Sequence, residues 1–232
     1  MRYNNIVKGI FKSRPNRFIA KVEINGIEET VHVKNTGRCR ELLTENATVY
    51  LEKSANPNRK TAFDLVAVEK IREGKENLLV NMDSQIPNAV AFEWLKGENP
   101  LFSEDAKIKR EVTFGDSRFD LYVEDGDRKA FVEVKGVTLE HDGYALFPDA
   151  PTERGVKHIN ELVKAVEAGY EAYILFVIQM KEIHTFSPHS KMHPDFAEAL
   201  KNANSKGIKV IAMDSIVTPD TMVIDKEVRV SL

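Results

Sequence analysis

The stretch Phe119–Leu139, FDLYVEDGDRKAFVEVKGVTL, has the pattern of two β-strands joined by a tight turn. Gly126-Asp127 suits a two-residue, glycine-first type II′ loop, which fixes the register of the hairpin. The facing pairs are then Glu124–Lys129, Tyr122–Phe131, Asp120–Glu133, Leu121–Val132 and Phe119–Val134. This register gives favourable charge and aromatic pairs, but it also places two acids side by side.

Asp120 and Glu133 therefore define the candidate site. Facing side chains have Cβ atoms about 5 Å apart, so two carboxylates would repel each other unless a cation lies between them. Oxygen ligands from two carboxylates, completed by phosphate and water, suit Mg²⁺ or Mn²⁺. Lys135 shares their face of the strand and could polarise a phosphate. The triplet predicts a metal-dependent phosphodiester site, with Asp120 and Glu133 as metal ligands and Lys135 as electrostatic catalyst.

Around this hairpin, residues 84–232 alternate between helical and strand patterns. Residues 88–97 and 194–207 predict helices, and residues 156–169 predict an amphipathic helix ended by Gly169. Residues 170–178 contain the longest apolar run and predict a buried strand, and residues 208–217 and 222–232 predict further strands. The order is typical of an α/β domain with a mixed sheet.

Residues 1–83 instead predict a small β-barrel. Six segments have strand character, and Asn25-Gly26 is a strong hairpin signal between the second and the third. Residues 36–43 predict a short helix capped by Thr36. Strands, a short helix and more strands are the order of an OB-like five-stranded barrel, so we expect an α+β two-domain chain divided at residues 83–84.

Charge and cysteine content narrow the class of protein. The net charge is −3, but residues 1–83 carry a net +4, so a polyanion would be attracted mainly by the first domain. A single cysteine, Cys39, and an amino terminus without an apolar signal core predict a cytoplasmic protein with no membrane partner.

Cations in turn-rich segments are the candidates for nucleic-acid contact. Loop cations beside turn formers and a helix amino terminus both suit phosphate groups. The candidates are Arg38, Arg40, Arg59, Lys60, Arg154 and Lys157. A polar group at the boundary, Asn81, Asp83, Gln85 and Asn88, is predicted to form hydrogen bonds between the domains.

The hairpin resembles the PD-(D/E)XK nuclease superfamily. Phe119-Asp120 stands for the PD element, with Phe119 replacing the usual proline, and Glu133-Val134-Lys135 stands for (D/E)XK. Blocks along the whole chain are similar to the sugar fermentation stimulation protein A (SfsA) family. They are NTGRCRELL (35–43), SANPNRKTAFDLVAVE (54–69), NMDSQIPN (81–88), SRFDLYVE (117–124), FVEVKGVTL (131–139) and FPDAPTERGVKHINEL (147–162).

The resemblance implies an OB-like domain followed by a nuclease-like domain, and DNA as the partner, bound with little sequence preference. It also implies regulation of sugar (maltose) metabolism. Two functions stay open at this point. The metal site hydrolyses phosphodiesters, which retention of Asp120, Glu133 and Lys135 favours, or the protein is a catalytically inactive DNA-binding regulatory module.

Overall fold

The computed structural model describes residues 1–97 and 99–232, in which sixteen strands and three helices form. The strands of the first half are β1 (Ile6–Asn16), β2 (Ile19–Ile24), β3 (Ile27–Val33), β4 (Thr48–Lys53), β5 (Phe63–Lys70) and β6 (Leu78–Asn81). Those of the second half are β7 (Lys107–Phe114), β8 (Ser117–Asp125), β9 (Arg128–Val137), β10 (Leu139–His141), β11 (Tyr144–Phe147), β12 (Glu171–Ile178), β13 (Thr185–Pro188), β14 (Lys209–Val217), β15 (Met222–Glu227) and β16 (Arg229–Val230). The helices are α1 (Ile86–Lys96), α2 (Glu153–Glu167) and α3 (Pro194–Ser205).

The first six strands form the predicted barrel. They follow the order β3-β2-β1-β4-β5-β6, and parallel pairing of β3 with β5 closes five of them on themselves. Asn25 and Gly26 both have positive φ, 51° and 80°, as a type I′ turn requires. The alternating apolar residues of these strands fill the interior, and Val22, Val31, Leu51 and Leu65 have no exposed surface. The predicted OB-like architecture is confirmed.

The helix predicted over residues 36–43 does not form. The segment makes one hydrogen-bonded turn, in which the amide of Leu43 donates to the carbonyl of Cys39 over 2.9 Å. Cys39 itself has φ 46°, outside the helical region. The guanidinium of Arg14 donates to the carbonyls of Arg38 and Asn35, so contacts with β1 override the local helical preference of this loop.

The second half forms a mixed sheet with helices on both faces, as predicted. Its order is β15-β14-β12-β9-β8-β7, and the apolar run lies at the centre as β12, parallel to β9 and β14. Tyr173, Leu175 and Val177 pack against α1, whereas Ile174 and Phe176 pack towards α2 and α3. Burial on both faces explains why this strand is continuously apolar. No helix in the described ranges is long and apolar enough to cross a membrane.

Two parts of this half were not predicted. The edge strand β7 extends the hairpin, and a small second sheet joins strands in the order β10-β11-β13-β16. Strand β7 is rich in charged residues because its outer side chains are exposed, although Ile108, Val112 and Phe114 keep a period of two. That alternation was the signal for a strand.

Two members of the polar group at the boundary, Asn81 and Asp83, join the two units, whereas Asn88 bonds within the second unit. The buried Gln179, at the end of β12, donates from Nε2 to the carbonyls of Asn81 and Asp83, over 3.0 and 3.1 Å. Asp83 also receives the ammonium of Lys34, at 2.7 Å, and the hydroxyl of Tyr3. We propose that the boundary between the domains lies at residues 83–84, in the short segment between β6 and α1.

Replacing Asp83 with alanine should destabilise the whole chain. The buried carboxylate holds Lys34 and Tyr3, and removing one partner of such a group costs about 2–4 kcal/mol. We expect the thermal midpoint, followed by circular dichroism, to fall by roughly 5–15 °C. Asp105→Ala, at an exposed position, is the matched control and should leave it within a degree or two. An Asp83→Ala midpoint equal to that of the control would contradict this role.

Candidate metal centre

The hairpin has the predicted register up to the candidate site and then departs from it. Strands β8 and β9 pair from Asp125–Arg128 to Leu121–Val132, with Gly126 at φ 61° in the turn. Phe119 and Val134 would form the next hydrogen-bonded pair of a regular ladder. Instead, the amide of Val134 donates to Oδ2 of Asp120 over 2.8 Å. The predicted ladder pairs Asp120–Glu133 and Phe119–Val134 are therefore wrong, because the carboxylate of Asp120 takes the place of a backbone acceptor.

Asp120 is held between a backbone amide and the first helix. Its second oxygen, Oδ1, accepts a hydrogen bond of 2.6 Å from Nδ2 of Asn88, near the start of α1. Burial and the nearby Glu133 carboxylate raise the pKa of Asp120 to about 6. The electrostatic conflict expected from the sequence is thus present, although the two acids are not ladder partners.

Glu133 is buried and is held through one of its two oxygens. Its Oε1 receives both Nζ of Lys135 and Nδ1 of His158, each at 2.5 Å. Burial favours the protonated acid, but the hydrogen bonds from His158 and Lys135 hold the pKa of Glu133 below its usual range. Its other oxygen, Oε2, is buried without a hydrogen-bond partner among the described residues. An ionised carboxylate with a bare oxygen is unfavourable unless a cation is bound there.

Two of the cations predicted on α2 lie in different surroundings. Nε of Arg154 donates to Nε2 of His158 over 3.3 Å, so the ring proton of His158 lies on Nδ1 and points at Glu133. Lys157 donates to the carbonyl of Asp116 and is exposed. The structure thus connects Arg154 to the carboxylates through His158, and it leaves Lys157 at the surface.

The residues present fit a hard divalent cation. Asp120 and Glu133 supply oxygens, one of them unpartnered, and Mg²⁺ is commonly bound by one or two carboxylates plus phosphate and water. Within residues 1–97 and 99–232 no group of three or more His, Cys, Asp or Glu side chains could enclose a metal ion. A cation at this site would keep open positions for substrate.

Arg38 and Arg40 lie in an arginine pocket that sequence analysis had found only in part. The pocket has a volume of about 390 Å³ and is lined by Arg14, Asn16, Arg17, Thr36, Gly37, Arg38, Arg40 and Ala150. Arg38 and Arg40 are exposed, whereas Nε of Arg14 is buried without a hydrogen-bond partner in the described chain. Arg14 and Arg17 come from the strand-turn segment before β2, so only the fold brings them to the other two.

Arg59 and Lys60 differ from each other in their contacts. Both Nη atoms of Arg59 bind the carboxylate of Asp64, at 2.6 and 2.7 Å, and Asp64 also meets His32. This bidentate pair braces the point where β3 closes on β5. Lys60, next to it, is exposed and remains free to meet an anion.

Two family models match the chain. The model described as SfsA N-terminal OB domain matches residues 13–79, and the model described as sugar fermentation stimulation protein RE domain matches residues 85–221. Together they cover both structural units.

Relatives match over nearly their entire length. The sugar fermentation stimulation protein homologue of Desulfitobacterium hafniense is 59% identical over 222 residues, covering 96% of this chain and 94% of its own. That of Ruminiclostridium cellulolyticum is 52% identical over 232 residues and covers both chains fully. The structure of Pyrococcus furiosus SfsA in complex with Ca²⁺ has a TM-score of 0.84 and 31% identity, and covers 100% of this chain and 98% of the other.

Removing the charge of Asp120 should stabilise the metal-free protein. A carboxyl with a folded pKa of about 6 and an unfolded value near 3.8 binds its proton more tightly when folded, so stability is lost as the pH rises through that interval. At pH 7.5 in EDTA we expect Asp120→Asn to raise the free energy of unfolding by on the order of 1–3 kcal/mol, and at pH 4 the gain should vanish.

Urea unfolding at the two pH values measures this difference. The exposed turn variant Asp127→Asn is the control and should show no such pH-dependent gain. Adding Mn²⁺ at pH 7.5 should stabilise the native chain and not Asp120→Asn. A variant less stable than the native chain at pH 7.5 would contradict the electrostatic conflict.

Proposed function

This chain belongs to the sugar fermentation stimulation protein (SfsA) family, and we propose that it binds DNA with little sequence preference and hydrolyses phosphodiesters at a Mg²⁺ or Mn²⁺ site. The observation that carries this proposal is the buried, unpartnered Oε2 of Glu133, together with the carboxyl group of Asp120, whose pKa is raised by burial and by Glu133. A bound cation would remove this unfavourable arrangement, because both carboxylates could coordinate it through their remaining lone pairs. Such perturbed acids are typical of catalytic sites.

The solved structure of the Pyrococcus furiosus relative is of a complex with Ca²⁺, so a member of this family binds a divalent cation. Calcium and magnesium share a preference for oxygen ligands, while magnesium keeps more water and is the usual ion of phosphate chemistry. When bound by Asp120 and Glu133, Mg²⁺ or Mn²⁺ would polarise a phosphate oxygen and lower the pKa of a water molecule.

The chain's own side chains have separate tasks in this proposal. Lys135 lies beside Glu133 and can direct its remaining N–H groups at the scissile phosphate, where negative charge grows during attack. His158 holds Oε1 of Glu133 and so leaves Oε2 turned towards the cation, and Arg154 fixes the ring of His158. Such supporting contacts commonly decide metal affinity.

The arginine pocket supplies the contact with the DNA backbone. Its exposed cations, Arg38 and Arg40, belong to the domain with net positive charge. Phosphate contacts of this type carry affinity without reading the base sequence, which suits binding with little sequence preference. Lys60 and Lys157 remain further candidates because both are exposed.

A regulatory module that binds DNA without cutting it is the second candidate. The observation that favours it is the small number of metal ligands, since the described residues bring together two carboxylates and not three. In that case the same pocket would grip a phosphate through a cation, and the protein would act in the cytoplasm on sugar (maltose) metabolism through DNA binding alone.

Cleavage assays with a Lys135→Ala variant separate the two candidates. We expect the native protein to cut single-stranded, duplex or branched DNA in Mn²⁺ but not in EDTA, and Lys135→Ala to cut at least 100-fold more slowly, since one electrostatic donor contributes about that factor. Lys129→Ala, on the exposed part of the same strand, is the matched control. If none of these substrates is cut while binding is intact, the hydrolytic proposal fails and the regulatory one stands.

The arginine pocket is tested by the salt dependence of binding. We expect the double variant Arg38→Ala/Arg40→Ala to bind DNA more weakly and to lower the slope of log K against log salt by about 1–2, because each lost phosphate contact removes about one unit. Lys201→Ala, an exposed cation on α3, should leave the slope unchanged. Fluorescence anisotropy at several salt concentrations measures the affinity for DNA and its salt slope. Identical slopes for all three proteins would show that this pocket does not contact DNA phosphates.

A further inference from the structure

We propose that a pocket between the two domains receives one unpaired nucleobase of the DNA, next to the phosphate held at the metal site. This inference rests on the proposed function and names the kind of DNA preferred, which is single-stranded or locally unpaired. The pocket, here called the junction pocket, has a volume of about 230 Å³. Its lining includes Thr36, Gly37, Gly136, Thr138, Phe147 and Gln179.

The junction pocket contains a hydrogen-bond acceptor that is free to bond a ligand. Gln179 is only 1% exposed, and its Nε2 donates to Asn81 and Asp83, which fixes the amide with Oε1 pointing the other way. No donor within the described part of the chain bonds to Oε1. An amide oxygen that lines a pocket and accepts no hydrogen bond from the chain is suited to a ligand that brings an N–H group.

Two glycines keep the space around the acceptors open. A Cβ at Gly136 would lie 2.6 Å from Oε1 of Gln179 and 2.7 Å from Cγ of Pro87. A Cβ at Gly37 would lie 2.4 Å from Oδ2 of Asp149, which also lines the pocket. Any side chain at either glycine would fill the room in front of an acceptor, and the backbone approaches both acceptors closely because these positions are glycine.

The polarity of the lining selects the chemistry of the ligand. The Gln179 amide and the Asp149 carboxylate present oxygens, and no arginine or lysine lines the junction pocket. A phosphate would be repelled by Asp149, whereas the amino edge of adenine, cytosine or guanine offers matching donors. The apolar residues Leu139, Leu146 and Phe147 in the lining give a base an apolar surface to pack against.

The size and place of the pocket point to one base beside the scissile bond. Its volume is below the range of about 300–1,000 Å³ typical of whole drug-sized ligands, so it suits a single ring system. Gly136 follows Lys135 directly on β9, and Thr36 and Gly37 also line the arginine pocket. The junction pocket thus adjoins the arginine pocket, and its lining on β9 begins one residue after the catalytic lysine. A base reaches such a pocket only when it is unpaired.

Binding of short single strands to the full-length protein in EDTA tests the proposal. The probes are fluorescent oligonucleotides of adenine, of thymine, and of the same length with abasic sites, which keep every phosphate. We expect the adenine strand to bind roughly tenfold tighter than the abasic strand, a factor typical of one stacked base, with thymine between them.

Three variants locate the effect. Thr138→Leu should fill the pocket, so we expect it to lose the tenfold preference for the adenine strand over the abasic strand, with an unchanged salt slope. Thr138→Ser keeps the hydroxyl group and should keep that preference. Asp149→Asn should reduce the difference between adenine and thymine.

The outcomes are distinct for the two proposals. Equal binding of abasic and adenine strands by the native protein, with steep salt dependence, overturns the base pocket and leaves DNA binding intact. A Thr138→Leu variant that also binds the abasic strand more weakly than the native protein does shows a backbone contact and overturns it as well. If the native protein binds no strand at any salt concentration, the proposed function fails, and the base pocket fails with it.

Discussion

The electrostatic conflict between Asp120 and Glu133 is the constraint around which the second domain is arranged. Two acids at the end of a buried hairpin would favour protonation or separation, and the fold prevents both for Glu133. His158 on α2 and Lys135 on β9 hold Glu133, and Asn88 on α1 holds Asp120. The position of each helix on the sheet therefore also fixes the direction of a carboxylate.

Much of this arrangement could be predicted from the sequence. The glycine-first turn specified the register of the hairpin, and the doubly buried β12 was recognisable from its continuous apolar run. The end of the ladder at Asp120 was not predictable, because a side chain that replaces a backbone acceptor leaves no trace in an alternating pattern. Asn88 was predicted to form hydrogen bonds between the domains, but its bond to Asp120, like the bond between His158 and Glu133, depends on how the helices dock.

Tertiary contacts also overrode local preference in the first domain. Residues 36–43 have helical character, yet Arg14 binds the carbonyls of that loop and holds it as a turn. Arg59 had the appearance of a free loop cation, and the structure pairs it with Asp64 across the closure of the barrel. A cation in a turn-rich segment thus indicates an anion nearby, and only the fold distinguishes a carboxylate of the same chain from a phosphate of a partner.

Gln179 has a further consequence for how the two domains are held together. Its nitrogen ties the segment before α1 to the end of β12, and its oxygen faces the junction pocket. One planar group cannot keep both relations if the domains tilt, because its two ends are rigidly coupled. A ligand that bonds Oε1 would therefore favour the arrangement in which Nε2 bonds Asn81 and Asp83, and that arrangement would favour the ligand to the same extent, as thermodynamic reciprocity requires. A single amide thus couples the contact between the domains to the proposed pocket.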